Sequence, residues 1–402
     1  MNREYNSTSI FDNEEVVEGG EFSLERLARS AAQRVIQSAL ELEVSEFLER
    51  LRYEKSPAGA EPKGYRNGHH RERVVATAVG GLSVRVPRVS DSIEKFESKL
   101  VRPYKRRSAE LDTTFQKLFI EGLATRDFEP ALRALTGTEA ALSPSSISRL
   151  NKQFKDDYDT WSKRDLRDLK IAYSWVDGVS LAAGIADERA HLLVVIGVDM
   201  TGTKRLISLT EGQRESKESW GAVLRDLKKR GLNQPALAVA DGALGFWAAL
   251  PGVWPLTKQQ QCWFHKTRNI LDKLATSEQK EGVQRLRGIQ QATDREAAQW
   301  LATKLIKDWR DAGYDRAAKC LESALERLLT FYDFPPEHAK HLRTTNPVES
   351  PFATMRIRTN AARRFRTSKS GLHLVFKLFE RIEKSWRKIK SPEKLKEVKL
   401  PT

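Results

Sequence analysis

Apolar residues recur at helical spacing at the start of the chain: Leu27, Ala31, Val35, Ala39 and Val44 within Ser23–Tyr53, with Ser23 placed as an N-cap. One long amphipathic helix, or two, is expected there, in a packing or dimerising role. The stretch KSPAGAEPKGYRNGHH that follows has no periodicity and reads as a linker or loop. RVVATAV and LSVRVPRV then flank Gly80-Gly81 as two β-prone runs joined by a two-residue hairpin turn. Residues 108–160 return to helical patterning in three segments, the second ending at Gly137 and the third opening with Ser143 as N-cap and Pro144 at the first helical position. Such a trio suits a helix-turn-helix unit as well as a small bundle that touches no DNA.

From Ile171 the pattern changes. IAYSWVDGVSLAAGI, HLLVVIGVDM and KRLISLTEG read as three strands in meander, SKESWGAVLRDLKKRGL as an amphipathic helix closed by Gly231, and PALAVADG as a fourth, buried strand. The expected fold class is therefore α/β. Residues 266–333 are helical again, with Trp300, Leu301, Leu305 and Trp309 in one periodic set, until Pro335-Pro336 stops the block. The expected organisation is an acidic disordered tail (1–20), an N-terminal helix (21–55), a basic linker with a β-hairpin (56–107) and a helical DNA-binding region (108–165). After these come a core (170–265), an all-helical insertion (266–342), a core helix with a basic C-terminal region (343–390) and a tail (391–402).

Composition narrows the class. The 402 residues are 40% hydrophobic and 31% charged, enough apolar material for buried cores. No apolar run approaches the ~18 residues a membrane helix needs, and the acidic start has no secretory segment, so a cytoplasmic location is expected. Two cysteines, Cys262 and Cys320, are too few for a disulfide framework or an all-cysteine zinc site. Net charge is +15, and it is concentrated: residues 63–107 carry a net +8 and residues 343–402 a net +11, against −5 in the first 21 residues. Clustered positive charge points to phosphate backbones more than to a merely solvated surface. Arg66, Arg71 and Arg73 in the first basic segment, Ser145, Ser146, Ser148, Arg149 and Lys152 on the third helix, and Lys266 and Arg268 farther on are the candidate DNA contacts.

Two carboxylates are unusually placed. Asp177 in SWVDGV and Asp241 in LAVADG each follow an apolar strand run and precede Gly. A carboxylate in or at the end of a buried strand is costly unless a cation meets it; Asp-Gly also caps turns without any ion. A third, Glu349 in TTNPVESPFATMRIRT, falls in the first turn of a helix whose later turns carry Arg356, Arg358, Arg363 and Arg364. Two Asp and one Glu are the donors that Mg²⁺ takes together with substrate phosphates, so phosphodiester chemistry on DNA is the hypothesis these residues carry.

The segments SWVDGV, LAVADGALGFWAAL, QQCWFHKTRN and TTNPVESPFATMRIRT, with GYRNGHHRERVV and LSPSSISRLNKQF upstream, closely resemble the bacterial insertion-sequence transposases related to plant Mutator elements, the insertion-sequence 256 family. The resemblance runs over roughly residues 23–390. It implies a DDE transposase with an RNase H-like core, in which Asp177, Asp241 and Glu349 hold two Mg²⁺ ions that Mn²⁺ can replace. It also implies an all-α insertion between the second and third acids. Cys262 and His265 match the family's Cys-x-x-His motif and are expected near the active site. The implied partners are the element's terminal inverted repeats and target double-stranded DNA, in a homodimer or larger synaptic complex. The alternatives are an RNase H-like nuclease without strand transfer and a domesticated or inactive DNA-binding protein. Asp199 and Glu218 also match family positions, but Asp199 is expected to make a turn with Gly202 and Glu218 to face solvent. Trp263, Trp300 and Trp309 are expected in cores, stacking on a flipped base being the alternative for the last two.

Overall fold

The computed structural model describes residues 23–54, 63–121, 130, 144–182, 189–212, 216–242, 244–361, 365 and 367–401, with backbone alone for 144–148, 244, 360 and 361. The chain forms two compact units, Met1–Ile147 and Ser148–Thr402. The expected N-terminal tail, most of the middle helix of the 108–160 trio, Gly137 and Ser143 lie outside the described residues.

In the first unit, helix α1 (Leu24–Leu48) packs against two antiparallel strand pairs, β1 (Tyr65–His69) with β4 (Pro87–Ser90) and β2 (Arg73–Thr77) with β3 (Gly80–Val84). The buried stripe of α1 is Leu40, Val44 and Leu48, with Leu40 packed in a cluster with Val84, Val86 and Val101. Val35, expected on that face, is exposed because it falls beside the Ile36–Leu40–Val44–Leu48 row rather than on it. Ser23 holds the N-cap position, but its hydroxyl donates to Glu25 instead of capping. The stretch expected as a loop contains β1, a largely exposed strand that hydrophobic alternation cannot reveal because its backbone pairing holds it. The hairpin turn is Ala78-Val79, two positions before the expected glycine pair. Thr77 pairs with Gly80, whose φ of +116° suits glycine alone, and the Thr77 hydroxyl donates to the Gly80 carbonyl. Helix α2 (Ala109–Glu121) buries Leu111 and Phe115 against Ala76.

The second unit is a mixed α/β structure. Helix α3 (Pro144–Ser162) leads into β5 (Ile171–Ala182), β6 (Arg189–Asp199) and β7 (Lys204–Gly212), the expected antiparallel meander. Helix α4 (Lys217–Lys229) carries the chain to β8 (Leu237–Ala240), and α5 (Leu244–Val253) carries it to β9 (Lys258–Gln261). Both strands run parallel to β5, in the sheet order β7-β6-β5-β8-β9. One face of the sheet is closed by α4 and α5 through Val176, Val195, Trp220, Leu224, Phe246 and Leu250. β9 was not expected, since LysGlnGlnGln has no apolar pattern. It is an edge strand whose buried Gln260 donates to the Leu328 carbonyl and accepts from the Phe331 amide, so a polar side chain is satisfied by the backbone of the helical block.

That block comprises α6 (Trp263–Leu271), α7 (Thr276–Gln290), α8 (Arg295–Asp311), α9 (Asp315–Glu322), α10 (Leu325–Leu329) and α11 (Ala339–Leu342). Helix α8 buries Ala298, Ala302, Leu305, Ile306 and Trp309. Trp300 falls on the opposite side of this stripe. It is 63% exposed, with the Lys304 ammonium 5.5 Å from its ring centroid, so its expected core role is overturned. Helix α12 (Asn346–Ala361) then packs on β5 and β6, and α13 (Ser368–Glu383) on β6 and β7. No helix among the described residues is long and apolar enough to cross a membrane.

Candidate active site

Asp177 does not end its strand: β5 continues through it, with Asp177 opposite Val194 and Gly178 opposite Leu193. The turn alternative therefore fails at this position. Side chains alternate along a strand, so Asp177 shares a face with Tyr173 and Trp175 rather than with the core residue Val176. Those two aromatics are tied to the segment before α12: Tyr173 Oη lies 2.9 Å from His338 Nδ1, and Trp175 Nε1 donates to the His341 carbonyl at 3.1 Å.

Register supplies the next residues. Trp175 pairs with Val239, and Ala240 pairs with Gln261. Carrying these parallel ladders forward places Asp177 beside Asp241 and Asp241 beside Cys262, the latter step secured by the Cys262 amide donating to the Ala240 carbonyl at 2.8 Å. Neighbouring strands lie about 4.8 Å apart, so the two aspartates and the cysteine form one row at the carboxyl ends of β8 and β9. Asp241 follows β8 directly and is half-buried, like Asp177.

Glu349 reaches the same region from α12. Its first turn is locked to Cys262: the Thr345 amide and hydroxyl both lie within hydrogen-bond reach of Cys262 Sγ, at 3.4 and 3.2 Å, and the hydroxyl also contacts Glu349 Oε1. The Trp263 amide donates to the Arg343 carbonyl at 2.8 Å, closing the seam. His265, one turn into α6, places Nδ1 3.8 Å from Glu349 Oε1. The Cys262 sulfur beside it, followed by the Glu349 and Asp241 carboxylates, holds the His265 imidazole up at about 9 against the opposing effect of burial. Among the described residues, Cys262, His265 and Glu349 are the one group of three metal-ligating side chains whose donor atoms all lie within 4.8 Å of one another. Thr345, fully buried, is a site residue that sequence reasoning missed; a second Thr directly before Asn-Pro was its faint signal.

The candidate DNA contacts divide. Arg66 is turned inward, donating to Ser45 Oγ at 2.8 Å and facing Glu41 at 3.5 Å, and Arg73 donates to the Val101 and Arg102 carbonyls at 2.8 and 2.9 Å. These two are structural ties, and burial lowers the pKa of Arg73. Arg71, Arg149, Lys152, Arg268 and Arg356 are exposed, and Lys266 and Arg358 half-buried. Ser145, Ser146 and Ser148 lie on α3 without described side chains, and Arg363 and Arg364 lie outside the described residues. Asp199 makes the expected turn, accepting the Thr201 and Thr203 amides while the Gly202 amide donates to its carbonyl. Glu218 is exposed, and Trp263 and Trp309 are buried as expected.

The fold and the site thus define a mixed α/β unit with two aspartates on neighbouring parallel strands, one within its strand and one just past the end of its own, in a strongly basic chain. The particular family follows from comparison. Residues 7–389 match the family described as "Transposase, Mutator family". The chain is 42% identical over 275 residues to the transposase for insertion sequence element IS6120 of Mycolicibacterium smegmatis, covering 68% of this chain and 85% of that protein. It is 41% identical over 269 residues to the transposase for IST2 of Acidithiobacillus ferrooxidans, covering 66% and 90%, and 32% identical over 361 residues to that for ISRM5 of Rhizobium meliloti, covering 89% and 88%. The chain belongs to the Mutator family of transposases.

Proposed function

We propose that this chain is a DDE transposase: it binds the terminal inverted repeats of its own element, cuts at the element ends and joins the freed 3′-hydroxyl to target DNA. The observation that carries the reading is the parallel pairing of the strand that holds Asp177 with the strand that ends at Asp241, together with the packing of the Glu349 helix on the strand of Asp177. Half-buried carboxylates side by side repel one another unless a cation lies between them, so this donor set fits a hard divalent ion. Asp177, Asp241 and Glu349 would hold Mg²⁺, with Mn²⁺ a workable substitute. When bound there, paired ions polarise the scissile phosphate and activate the attacking oxygen.

The rest is the work of this chain. The β5–β8 ladder fixes the two aspartates relative to each other, and Thr345 with Cys262 orients the turn that carries Glu349. Arg268 and Arg356 hold backbone phosphates without reading sequence. The β5–β9 sheet is the RNase H-like core, and α6–α11 are the insertion between the second and third acids. The helical trio of residues 108–165 grips the element ends as a helix-turn-helix-like region, and a dimer or larger assembly brings two ends together.

The test is a Mg²⁺-dependent cleavage and joining assay on DNA carrying the gene's native flanking ends. Wild type is expected to cut and join, while the Ala variants of Asp177, Asp241 and Glu349 bind ends and do neither. Cleavage without joining would replace this reading with a nuclease. Binding alone by wild type, with Mn²⁺ also tried, would make it an inactive or domesticated DNA-binding protein.

A further inference from the structure

We infer that Cys262, His265 and Glu349 form a second cation site, selective for a borderline divalent ion of the Zn²⁺ kind, whose occupation holds Glu349 away from the two aspartates and silences the enzyme. The silencing half rests on the function proposed above; the binding half does not.

The donor chemistry differs from that of the aspartate pair. One sulfur, one imidazole nitrogen and one carboxylate oxygen suit Zn²⁺ or Co²⁺ and not Mg²⁺, which takes oxygen donors and keeps its water. Distances are compatible. Zn²⁺ bonds of roughly 2.0–2.3 Å at tetrahedral angles set donors about 3.3–3.8 Å apart, and His265 Nδ1 already lies 3.8 Å from Glu349 Oε1, with all three donors within 4.8 Å. His265 Nδ1 is buried and makes no hydrogen bond of good geometry, being held in the cluster only by its 3.8 Å ion pair with Glu349. A bound cation would take the place of the imidazolium proton between the same sulfur and carboxylate. The Thr345 amide is directed at Cys262 Sγ, and its hydroxyl lies between that sulfur and Glu349 Oε1, the outer support that metal-bound side chains receive in protein sites. Three protein donors leave a fourth position open for water.

The site also has a direct consequence for the neighbouring row. Cys262 stands next to Asp241 across the β8–β9 ladder and Glu349 already lies within 4.8 Å of its sulfur, so a cation held there keeps Glu349 on the β9 side, away from Asp177 on β5. A hard ion and a borderline ion would thus compete for one carboxylate.

The test uses the full chain without a histidine tag, with Co²⁺ as the probe. One equivalent should give thiolate-to-cobalt charge-transfer absorption and the visible bands of a four-coordinate ion; one equivalent of Zn²⁺ should bleach both, and excess Mg²⁺ neither. Cys320→Ser should leave the spectrum intact, whereas Cys262→Ser should lose the charge-transfer band. Because Cys262 is fully buried, half-exposed His265→Gln is the second variant, expected to weaken Co²⁺ binding at least about tenfold. Absence of the band in wild type, its loss in Cys320→Ser, or its survival in Cys262→Ser would each overturn the site. In the cleavage assay, equimolar Zn²⁺ should suppress the Mg²⁺-dependent reaction of wild type, and the ratio of rates with and without Zn²⁺ should return toward one in His265→Gln. Cobalt binding with Zn²⁺-insensitive cleavage would overturn the silencing. A wild type that never cleaves would fail the proposed function while the spectra still decide the site.

Discussion

Trp175 and His341 are joined by one hydrogen bond, from the indole Nε1 to the main-chain carbonyl at 3.1 Å, across 166 positions of sequence. It ties the strand that carries Asp177 to the segment that delivers Glu349. Trp175 is fully buried, so removing the indole both empties core volume and takes the donor away from the part-buried carbonyl. Trp175→Phe should cost about 2–3 kcal/mol, combining the orphaned carbonyl and the lost ring volume. Urea denaturation would read this as a lower midpoint at unchanged slope, and cleavage should fall more than end binding.

Thr345 offers a cleaner separation of position from stability. Thr345→Val keeps the shape and removes the hydroxyl that faces Cys262 Sγ and Glu349. The expected result is a loss of about 1 kcal/mol of stability with a fall in the cleavage rate at unchanged affinity for DNA ends. Thr345→Ser should restore the rate. Equal loss in both variants would mean that the hydroxyl does not position Glu349.

Acid sensitivity has a named source in His341. Burial first, then the nearby Lys204, His338, Lys340 and Lys390, push its pKa down to about 4, and its Nε2 accepts from the Lys390 amide at 3.4 Å. The folded-state value lies below the ordinary one of about 6.5, so the unfolded chain takes up a proton that the folded chain refuses. The stability at stake is fully present above pH 6.5 and is lost as pH falls from there toward 4. Because the ring is only half-buried, the loss should be about 1–2 kcal/mol. Denaturation midpoints of wild type and His341→Gln at stepped pH should converge on acidification; a constant gap between them would remove His341 as the cause.

Trp300 and Trp309 lie on one helix and should respond oppositely. Trp309→Ala empties a core position, 6% exposed, and should cost about 3–5 kcal/mol. Trp300→Ala removes a ring that is 63% exposed and should change stability by no more than about 0.5 kcal/mol. Thermal melts of the two variants decide this, and comparable destabilisation would restore the core reading of Trp300.

Salt dependence checks the exposed arginines. If Arg268 and Arg356 each meet a phosphate, replacing either with Ala should reduce the slope of log affinity against log salt by about 1, uniformly across DNA sequences. Arg73→Ala should leave the slope alone and lower stability, because its guanidinium is already committed to the Val101 and Arg102 carbonyls.

The meander β5–β7, the helix α4 closed by Gly231 and the buried strand before Asp241 were legible because continuous apolar runs and glycine punctuation are local signals. Asp177 and Asp241 stood out for the same reason: a charge abutting an apolar run is visible one residue at a time. β1 and β9 were not legible, since an exposed strand and an edge strand of glutamines are held by partners distant in sequence. Arg66 and Arg73 looked identical to exposed Arg71 between them, because sequence does not tell which guanidinium finds an internal partner.

By itself, the sequence determined the α/β class and the basic character and singled out Asp177, Asp241 and Glu349 as candidates, all consequences of local composition and periodicity. Tertiary structure decided which of these meet. The parallel register of β5, β8 and β9 sets Asp177, Asp241 and Cys262 in one row, and the Thr345 seam brings Glu349 to Cys262 and His265. Register and helix docking depend on side chains packed across the whole sheet, so no single segment contains them.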